Sequence, residues 1–135
     1  MITHTHDHAY LADSKSVPQA DLLVATGSDT NECNEIQAEW LITKQVEGKP
    51  LSQTKAFIDS KKDKTKCSEI VDKAIDLVVA AAQAFHAKTG FNHNDLAPDN
   101  VLFDDDLTKA NLLDFGLARK GPLVSFQRLH WVYDR

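Results

Sequence analysis

The sequence predicts an α+β fold in which a β-hairpin, a long helix and a second β-hairpin follow one another. Two short apolar runs within residues 20–46 have the length of strands. The stretch from Ser68 to Lys88 carries apolar residues at helical spacing, and two more short apolar runs after it flank a cluster of acids. At 135 residues the chain is long enough to bury one hydrophobic core.

Composition and charge are those of an ordinary globular protein, with 42% hydrophobic and 26% charged residues. The 15 Lys and Arg against 20 Asp and Glu give no basic excess, so no nucleic-acid partner is expected. Cys33 and Cys67 are far apart, which favours free thiols in a reducing compartment. The sequence contains no apolar run of membrane-spanning length and no secretory signal. We therefore expect a cytoplasmic protein, or one delivered into a host cell if it is a secreted effector.

The first hairpin is predicted from residues 20–26 and from Gln37 to Val46. A turn is expected at Gly27-Ser28-Asp29, directly after the first run, because Gly, Ser and Asp favour turns. The second run ends near Gly48 and Pro50, which interrupt regular structure. The two runs therefore predict antiparallel strands.

The N-terminal segment, residues 1–17, is polar and is expected to be solvated. Its three histidines suggest a metal site, because alternate residues of a strand share one face. However, the adjacent pair His6 and Asp7 misses the H-x-H-x-D-H signature of metallo-hydrolases by one residue. A metal-dependent hydrolase built on His4, His6 and His8 is therefore the least favoured alternative.

The strongest helix signal lies between Ser68 and Lys88, and Gly90 is expected to end that helix. The lysine-rich stretch before it, Ser52 to Lys66, is predicted to be a solvated helix or loop, with a patch for an acidic partner as the alternative. Ser125 to Arg135 is predicted to form a short amphipathic helix. The apolar face of the long helix is expected to contain Val71, Ala74, Ile75, Val78, Ala82 and Phe85.

Phe91 to Ala118 carries the chemistry of the chain. A polar loop containing Asp95 leads through Asn100 into an apolar strand, and a second strand delivers Asp114. Carboxylate and amide oxygens suit Mg²⁺, which completes its coordination with water and phosphate. A third acid beside them can accept a proton from a hydroxyl. Asp104-Asp105-Asp106, between the two strands, is expected to be a turn rather than a cation site.

The pattern H-x-D-L-x-x-x-N followed by D-F-G resembles the catalytic core of the protein-kinase superfamily. The resemblance implies a partial protein-kinase-like fold, with a small-lobe remnant in residues 1–46 and a reduced helical large lobe in residues 47–135. It also implies transfer of the ATP γ-phosphate to a protein hydroxyl, Ser or Thr in preference to Tyr, with Mg²⁺. The matching residues are His93, Asp95, Leu96, Asn100, Asp114, Phe115 and Gly116.

The same resemblance assigns roles to individual residues. Asp95 would be the catalytic residue that accepts the proton, and Asn100 and Asp114 would be the metal ligands. His93 and Phe115 would pack together and brace the loop, and Gly116 would supply backbone freedom. Val46 to Leu51 would be the hinge between lobes. The adenine-binding groups would be the gatekeeper Thr43, the backbone of Lys44 and Val46, and Leu102 beneath the ring.

Several departures from the kinase pattern limit the prediction. Asn94 stands where many kinases carry the Arg that pairs with a phosphorylated loop, and Ala97 stands where many Ser/Thr kinases carry Lys. No A-P-E follows the D-F-G. No glycine precedes Gly27, and Lys15 is the only lysine before the adenine-binding Lys44, so the glycine-rich loop and strand lysine that hold the phosphates are not evident.

These departures leave two main functional alternatives. The chain is either a kinase, of compact effector type or a fragment, or a pseudokinase that acts as a nucleotide- or protein-binding module. Retention of Asp95, Asn100 and Asp114 favours the kinase. The run D-F-G-L-A-R from Asp114 to Arg119 favours protein kinases over the related small-molecule phosphotransferases.

Overall fold

The computed structural model describes residues 2–3, 23–31 and 36–125. The N-terminal histidines and Lys15 lie outside these ranges, as does almost all of the helix predicted from Ser125. Within the described ranges the order is strands, then helices, then short strands, which confirms the α+β class.

The first sheet is a three-stranded antiparallel sheet. It contains β1 (Ile2–Thr3), β2 (Leu23–Asn31) and β3 (Ile36–Thr43), in the order β1-β3-β2. The pairing of β2 with β3 confirms the predicted hairpin. Strand β1 pairs with the other edge of β3, with Ile2 opposite Ile42. These two residues of the N-terminal segment, which was expected to be solvated, therefore form an edge strand.

Gly27 lies within β2 and not in a turn, so the turn predicted at Gly27-Ser28-Asp29 is wrong. Gly27 is paired with Trp40 on β3. A Cβ atom at Gly27 would lie 2.2 Å from Cζ2 of the Trp40 ring. The glycine is therefore needed where the large ring approaches the backbone of the neighbouring strand. Strand β3 ends at Thr43, three residues before the predicted end at Val46.

Two helices follow the sheet, α1 (Lys55–Ser60) and α2 (Lys64–Thr89). Helix α2 begins four residues before the predicted Ser68, because the side chain of Asp63 caps it by accepting hydrogen bonds from the N–H groups of Thr65 and Lys66. Gly90 has a φ of 74° and ends the helix as predicted. The lysine-rich stretch thus forms a 3₁₀ turn (Leu51–Gln53), α1 and the start of α2.

The hydrophobic core lies between α2 and the second hairpin, β5 (Val101–Phe103) and β6 (Ala110–Leu112). The predicted apolar face of α2 is buried except for Ala82, which is partly exposed. Each fully buried aliphatic or aromatic side chain contributes about 1.5–3 kcal/mol. The same core therefore stabilises the helix and fixes the hairpin that carries the site. Its members are Val71, Ala74, Ile75, Val78, Phe85, Val101, Phe103, Leu107 and Leu112.

The acids between β5 and β6 form the predicted turn. Asp104 accepts hydrogen bonds from the N–H groups of Thr108 and Lys109, both 2.8 Å, and the Thr108 hydroxyl is the main cause of its lowered pKa. Asp105 accepts from the Lys49 ammonium and from the Lys55 N–H, and the Lys49 hydrogen bond is the main cause of its lowered pKa. The carboxylates of Asp104 and Asp105 therefore serve the turn.

The segment after β3 lies along the second hairpin. The backbone N–H and carbonyl of Lys49 both bond to Phe103, at 2.8 Å each, and the Asn111 side chain donates to the Glu47 carbonyl at 2.9 Å. Gly48 has a φ of 120°, and a Cβ atom there would lie 2.9 Å from Cβ of Leu102. These contacts fix the predicted hinge segment beside Leu102.

Candidate active site

Asp95 and Asn100 lie in direct contact within the loop that joins β4 (Phe91–Asn92) to β5. The amide nitrogen of Asn100 donates to the backbone oxygen of Asp95 and to its carboxylate Oδ2, both at 3.0 Å. A 3₁₀ turn, Pro98–Asn100, brings the chain back to make this contact. Because the nitrogen of the Asn100 amide is used by Asp95, its oxygen is the atom left to act as a metal ligand.

His93 is the buried centre of the loop, with 2% of its surface exposed. Its Nε2 lies 2.7 Å from the Leu113 carbonyl oxygen, and its Nδ1 accepts the Asp95 N–H at 3.2 Å. These partners require a neutral ring with the proton on Nε2. Burial lowers the pKa of His93, and the Leu113 carbonyl and the charges of Asp95 and Asp114 oppose that shift. Both carboxylates therefore lie near this ring.

Asp114 follows Leu113, which bonds through both backbone groups to the loop of residues 93–100, the predicted catalytic loop. The Leu113 N–H donates to the Asn100 carbonyl at 2.8 Å, and its carbonyl oxygen lies 2.7 Å from His93 Nε2. Asp114 is exposed, has a left-handed φ of 53°, and accepts the Gly116 N–H at 3.1 Å. The special backbone geometry of the D-F-G thus falls on Asp114 rather than on Gly116.

Phe115 joins the site to the core. Its ring centroid lies 5.0 Å from that of His93 and 5.0 Å from that of Phe85 on α2. The first contact confirms the predicted packing of His93 on Phe115. Aromatic pairs at this separation contribute about 0.5–1.5 kcal/mol beyond their burial.

The seven predicted site residues lie in two parts of the described chain. Asn100 contacts Asp95 and, through its carbonyl, Leu113, the residue before Asp114, and both Asp95 and Leu113 bond to His93. Thr43 ends β3, Lys44 and Val46 lie in the irregular connection that follows, and Leu102 lies against Gly48 of that connection.

Within the described ranges, no three His, Cys, Asp or Glu side chains form a metal-binding cluster. The candidate donor set is instead one carboxylate and one amide, those of Asp114 and Asn100. A donor set with few protein ligands suits Mg²⁺, because this ion retains several waters and binds substrate phosphates. The residues present therefore fit the metal that the sequence predicts.

A further feature, which the sequence analysis did not predict, is the attachment of the segment after the D-F-G to the catalytic loop. Strand β7 (Arg119–Lys120) pairs with β4. The Asn94 side chain donates to the Leu117 carbonyl at 3.1 Å, and Asn92 bonds to both Pro122 and Val124. The only sequence signal was the presence of two asparagines, Asn92 and Asn94, on either side of His93.

A cavity of about 410 Å³ lies between the catalytic loop and this segment. It includes Asp95, the residue predicted to accept a proton. The described residues that line it are Ala82, Asn92, His93, Asn94, Asp95, Leu96, Ala97, Leu123, Val124 and Ser125.

Comparison with known proteins identifies the class. Residues 8–125 match the APH phosphotransferase enzyme family. A predicted serine/threonine-protein kinase of Mycoplasma genitalium is 33% identical over 119 residues, covering 87% of this chain and 29% of that protein. The chain thus belongs to the phosphotransferase enzyme family, within the protein-kinase-like superfamily.

The solved structure of WbdD agrees on the fold. A 2.2 Å crystal structure of WbdD aligns with a TM-score of 0.53 and 23% identity, covering 86% of this chain and 23% of that one. The kinase PK-1 of Cydia pomonella granulovirus aligns with a TM-score of 0.42 and 17% identity, over 93% of this chain and 46% of that one. The chain spans less than a third of the curated relative and of WbdD.

No helix in the described part of the chain is long and apolar enough to cross a membrane.

Proposed function

We propose that this chain forms the catalytic centre of a phosphotransferase that moves the ATP γ-phosphate to a hydroxyl group of a protein. The observation that carries the proposal is the hydrogen bond between Asn100 and Asp95, made beside the backbone pairing that delivers Asp114. This arrangement combines a proton acceptor with two oxygen ligands, which phosphoryl transfer requires.

In this proposal each side chain has a distinct task. Asp95 orients the attacking hydroxyl and accepts its proton, and Asn100 holds the Asp95 carboxylate in place. The Asn100 amide oxygen and the Asp114 carboxylate hold Mg²⁺, which, when bound, neutralises charge on the phosphates. His93, neutral and buried, fixes the backbone of both Asp95 and Leu113.

The adenine would bind at the hinge, between a small lobe in residues 1–46 and a large lobe in residues 47–135. Thr43, the backbone of Lys44 and Val46, and Leu102 would surround the base. Support comes from the backbone pairing of Lys49 with Phe103, which holds the hinge against β5. Backbone groups held by such pairing provide donors and acceptors at fixed positions.

Ser or Thr is the proposed acceptor residue, because the curated relative is named a serine/threonine-protein kinase. The cytoplasm is the proposed location, as expected from the sequence. A second candidate is a pseudokinase that binds nucleotide or protein without turnover. It is favoured by Ala97, which stands where many Ser/Thr kinases carry a Lys that touches the transferring phosphate.

A thermal-shift titration with ATP and Mg²⁺, followed by a phosphate-transfer assay, separates the two candidates. If the chain is a kinase, ATP raises the midpoint of thermal unfolding only when Mg²⁺ is present. Asp114→Asn should abolish this rise. Asp95→Asn should preserve the rise but remove phosphate transfer. Asp72→Asn, on the exposed face of α2, is the matched control and should behave as wild type. A nucleotide shift with no transfer, unaffected by Asp95→Asn, would establish the pseudokinase.

A further inference from the structure

Asn92 ties the segment after the D-F-G to the catalytic loop through both ends of its amide. Its Nδ2 donates to the Pro122 carbonyl at 2.7 Å, and its Oδ1 accepts the Val124 N–H at 3.0 Å. Only 8% of Asn92 is exposed. A buried amide bonded at both ends is costly to replace, because the partners then lose their hydrogen bonds.

Pro122 and Val124, the two hydrogen-bond partners of Asn92, flank Leu123 in the chain. The two hydrogen bonds therefore fix the backbone on both sides of Leu123. Leu123 is 51% exposed and Val124 is 59% exposed, although both are apolar. Both line the cavity that contains Asp95. Apolar side chains held at the mouth of a polar site typically contact a ligand.

The charge of the cavity narrows the class of ligand. Among its described lining residues, Asp95 carries the only charged side chain, and the remainder are apolar, amide, hydroxyl or the neutral ring of His93. A polycationic acceptor would find a single anionic partner there. An uncharged acceptor with aliphatic groups next to its hydroxyl would bury those groups on Leu123 and Val124.

We propose that Asn92 is a positioning residue that holds Leu123 and Val124 as the apolar side of the acceptor site, and that the acceptor is a protein hydroxyl flanked by aliphatic residues. The inference rests on the proposed phosphoryl transfer, because it takes Asp95 as the group that meets the acceptor. It adds the chemical character of the residues on either side of the acceptor hydroxyl, which the catalytic motif does not determine.

Methyl NMR of the full chain, labelled at Ile, Leu and Val, tests the inference without requiring turnover. The probes are two short capped peptides, one with serine between two leucines and one with serine between two lysines. We expect the Leu123 and Val124 methyl signals to shift on adding the leucine peptide, with at least about tenfold weaker binding of the lysine peptide. Ile58, 51% exposed on α1 and distant in sequence from the cavity, is the matched internal control. Equal affinity for both peptides, or shifts no larger than those of Ile58, would overturn the inference.

Variants then test the role of Asn92. Asn92→Asp keeps the acceptor for Val124 but loses the donor to Pro122, and Asn92→Ala loses both. Either variant should weaken leucine-peptide binding about tenfold and reduce the preference over the lysine peptide, as should Leu123→Ala, whereas Ile58→Ala should not. A purely structural Asn92 would lower the thermal midpoint and leave the peptide preference unchanged, which would refute the positioning role. If Asn92→Ala fails to fold, Leu123→Ala decides the specificity on its own.

The same peptides separate this inference from the proposed function. Selective binding of the leucine peptide without phosphate transfer from ATP would support the acceptor site and contradict the phosphotransferase. Transfer to both peptides with equal kcat/KM would support the phosphotransferase and contradict the acceptor site.

Discussion

The amide nitrogen of Asn100 lies 3.0 Å from Oδ2 of Asp95, so one side chain both positions the proposed proton acceptor and presents an oxygen for the metal. The contact spans only five residues and is closed by the 3₁₀ turn before β5. Its consequences can be measured at each end of the hydrogen bond.

Asn100→Asp should strongly reduce turnover. The substitution replaces a donor with a second carboxylate, which repels Asp95 and raises the cost of keeping both ionised. We expect kcat to fall about 10²–10⁴-fold, the usual contribution of a positioned general base. The measurement is phosphate transfer at saturating ATP and Mg²⁺. Gln83→Glu, the same type of change on the exposed face of α2, should have little effect. Wild-type kcat in Asn100→Asp would contradict this arrangement.

His93 should make the fold sensitive to mild acid. Its pKa is lowered in the folded state, chiefly by burial, so the folded chain favours the neutral ring. The stability that His93 contributes is therefore present above its ordinary pKa of 6.5 and is lost as the pH falls through the lower, folded value. Protonation would also set an N–H against the Asp95 N–H.

The measurement is urea denaturation of wild type and His93→Gln between neutral pH and pH about 5. Wild-type stability should fall with acid more steeply than that of His93→Gln. Gln83→Ala, a change at a non-titrating residue on the exposed face of α2, should keep the wild-type slope. Parallel pH profiles of wild type and His93→Gln would show that His93 is not the group responsible.

Gly48→Ala should disturb nucleotide binding. The position has a φ of 120° and would place a Cβ atom 2.9 Å from Cβ of Leu102 and 3.0 Å from the Phe103 carbonyl oxygen. A strained backbone of this kind costs on the order of 1–3 kcal/mol, and the clash must move either the hinge or β5. Equilibrium unfolding and ATP titration measure the two effects. Gly121→Ala is the control, since no atom lies within 4 Å of its Cβ position. Equal behaviour of the two variants would exclude the proposed hinge packing.

Asp63→Ala should destabilise the chain by about 0.5–2 kcal/mol through loss of the helix cap. The Asp63 side chain accepts two backbone N–H groups at the start of α2, at 3.0 and 3.1 Å. Chemical denaturation gives the free energy of unfolding directly. Asp72→Ala, in the middle of the same helix, removes a carboxylate without removing a cap. A larger loss of stability at Asp72 than at Asp63 would contradict the capping role.

The parts of the fold that the sequence predicted are those set by local patterns. The spacing of apolar residues located α2, and Gly90 located its end. The catalytic loop and the D-F-G were recognised because Asp95, Asn100 and Asp114 lie within 20 residues of one another in the sequence. The acidic turn before Leu107 was predicted from composition alone, and its hydrogen bonds agree.

The errors came from contacts between residues distant in sequence. Gly27 was interpreted as a turn because its partner, the Trp40 ring, lies on another strand. Strand β1 was missed because two residues carry no periodicity. Asn92 was overlooked because its partners lie 30 and 32 residues away. The start of α2 was a different error, since the Asp63 cap was a local signal hidden within a run of lysines.

Phe115 contacts both Phe85 in the core and His93 in the loop, so a change of core packing at Phe85 alters the loop through ring contacts alone. Phe85→Leu should therefore yield a heat-labile protein whose phosphate transfer fails at a lower temperature than its circular-dichroism melt. For a chain of this design, a temperature-sensitive allele would be expected from a residue of the hydrophobic core.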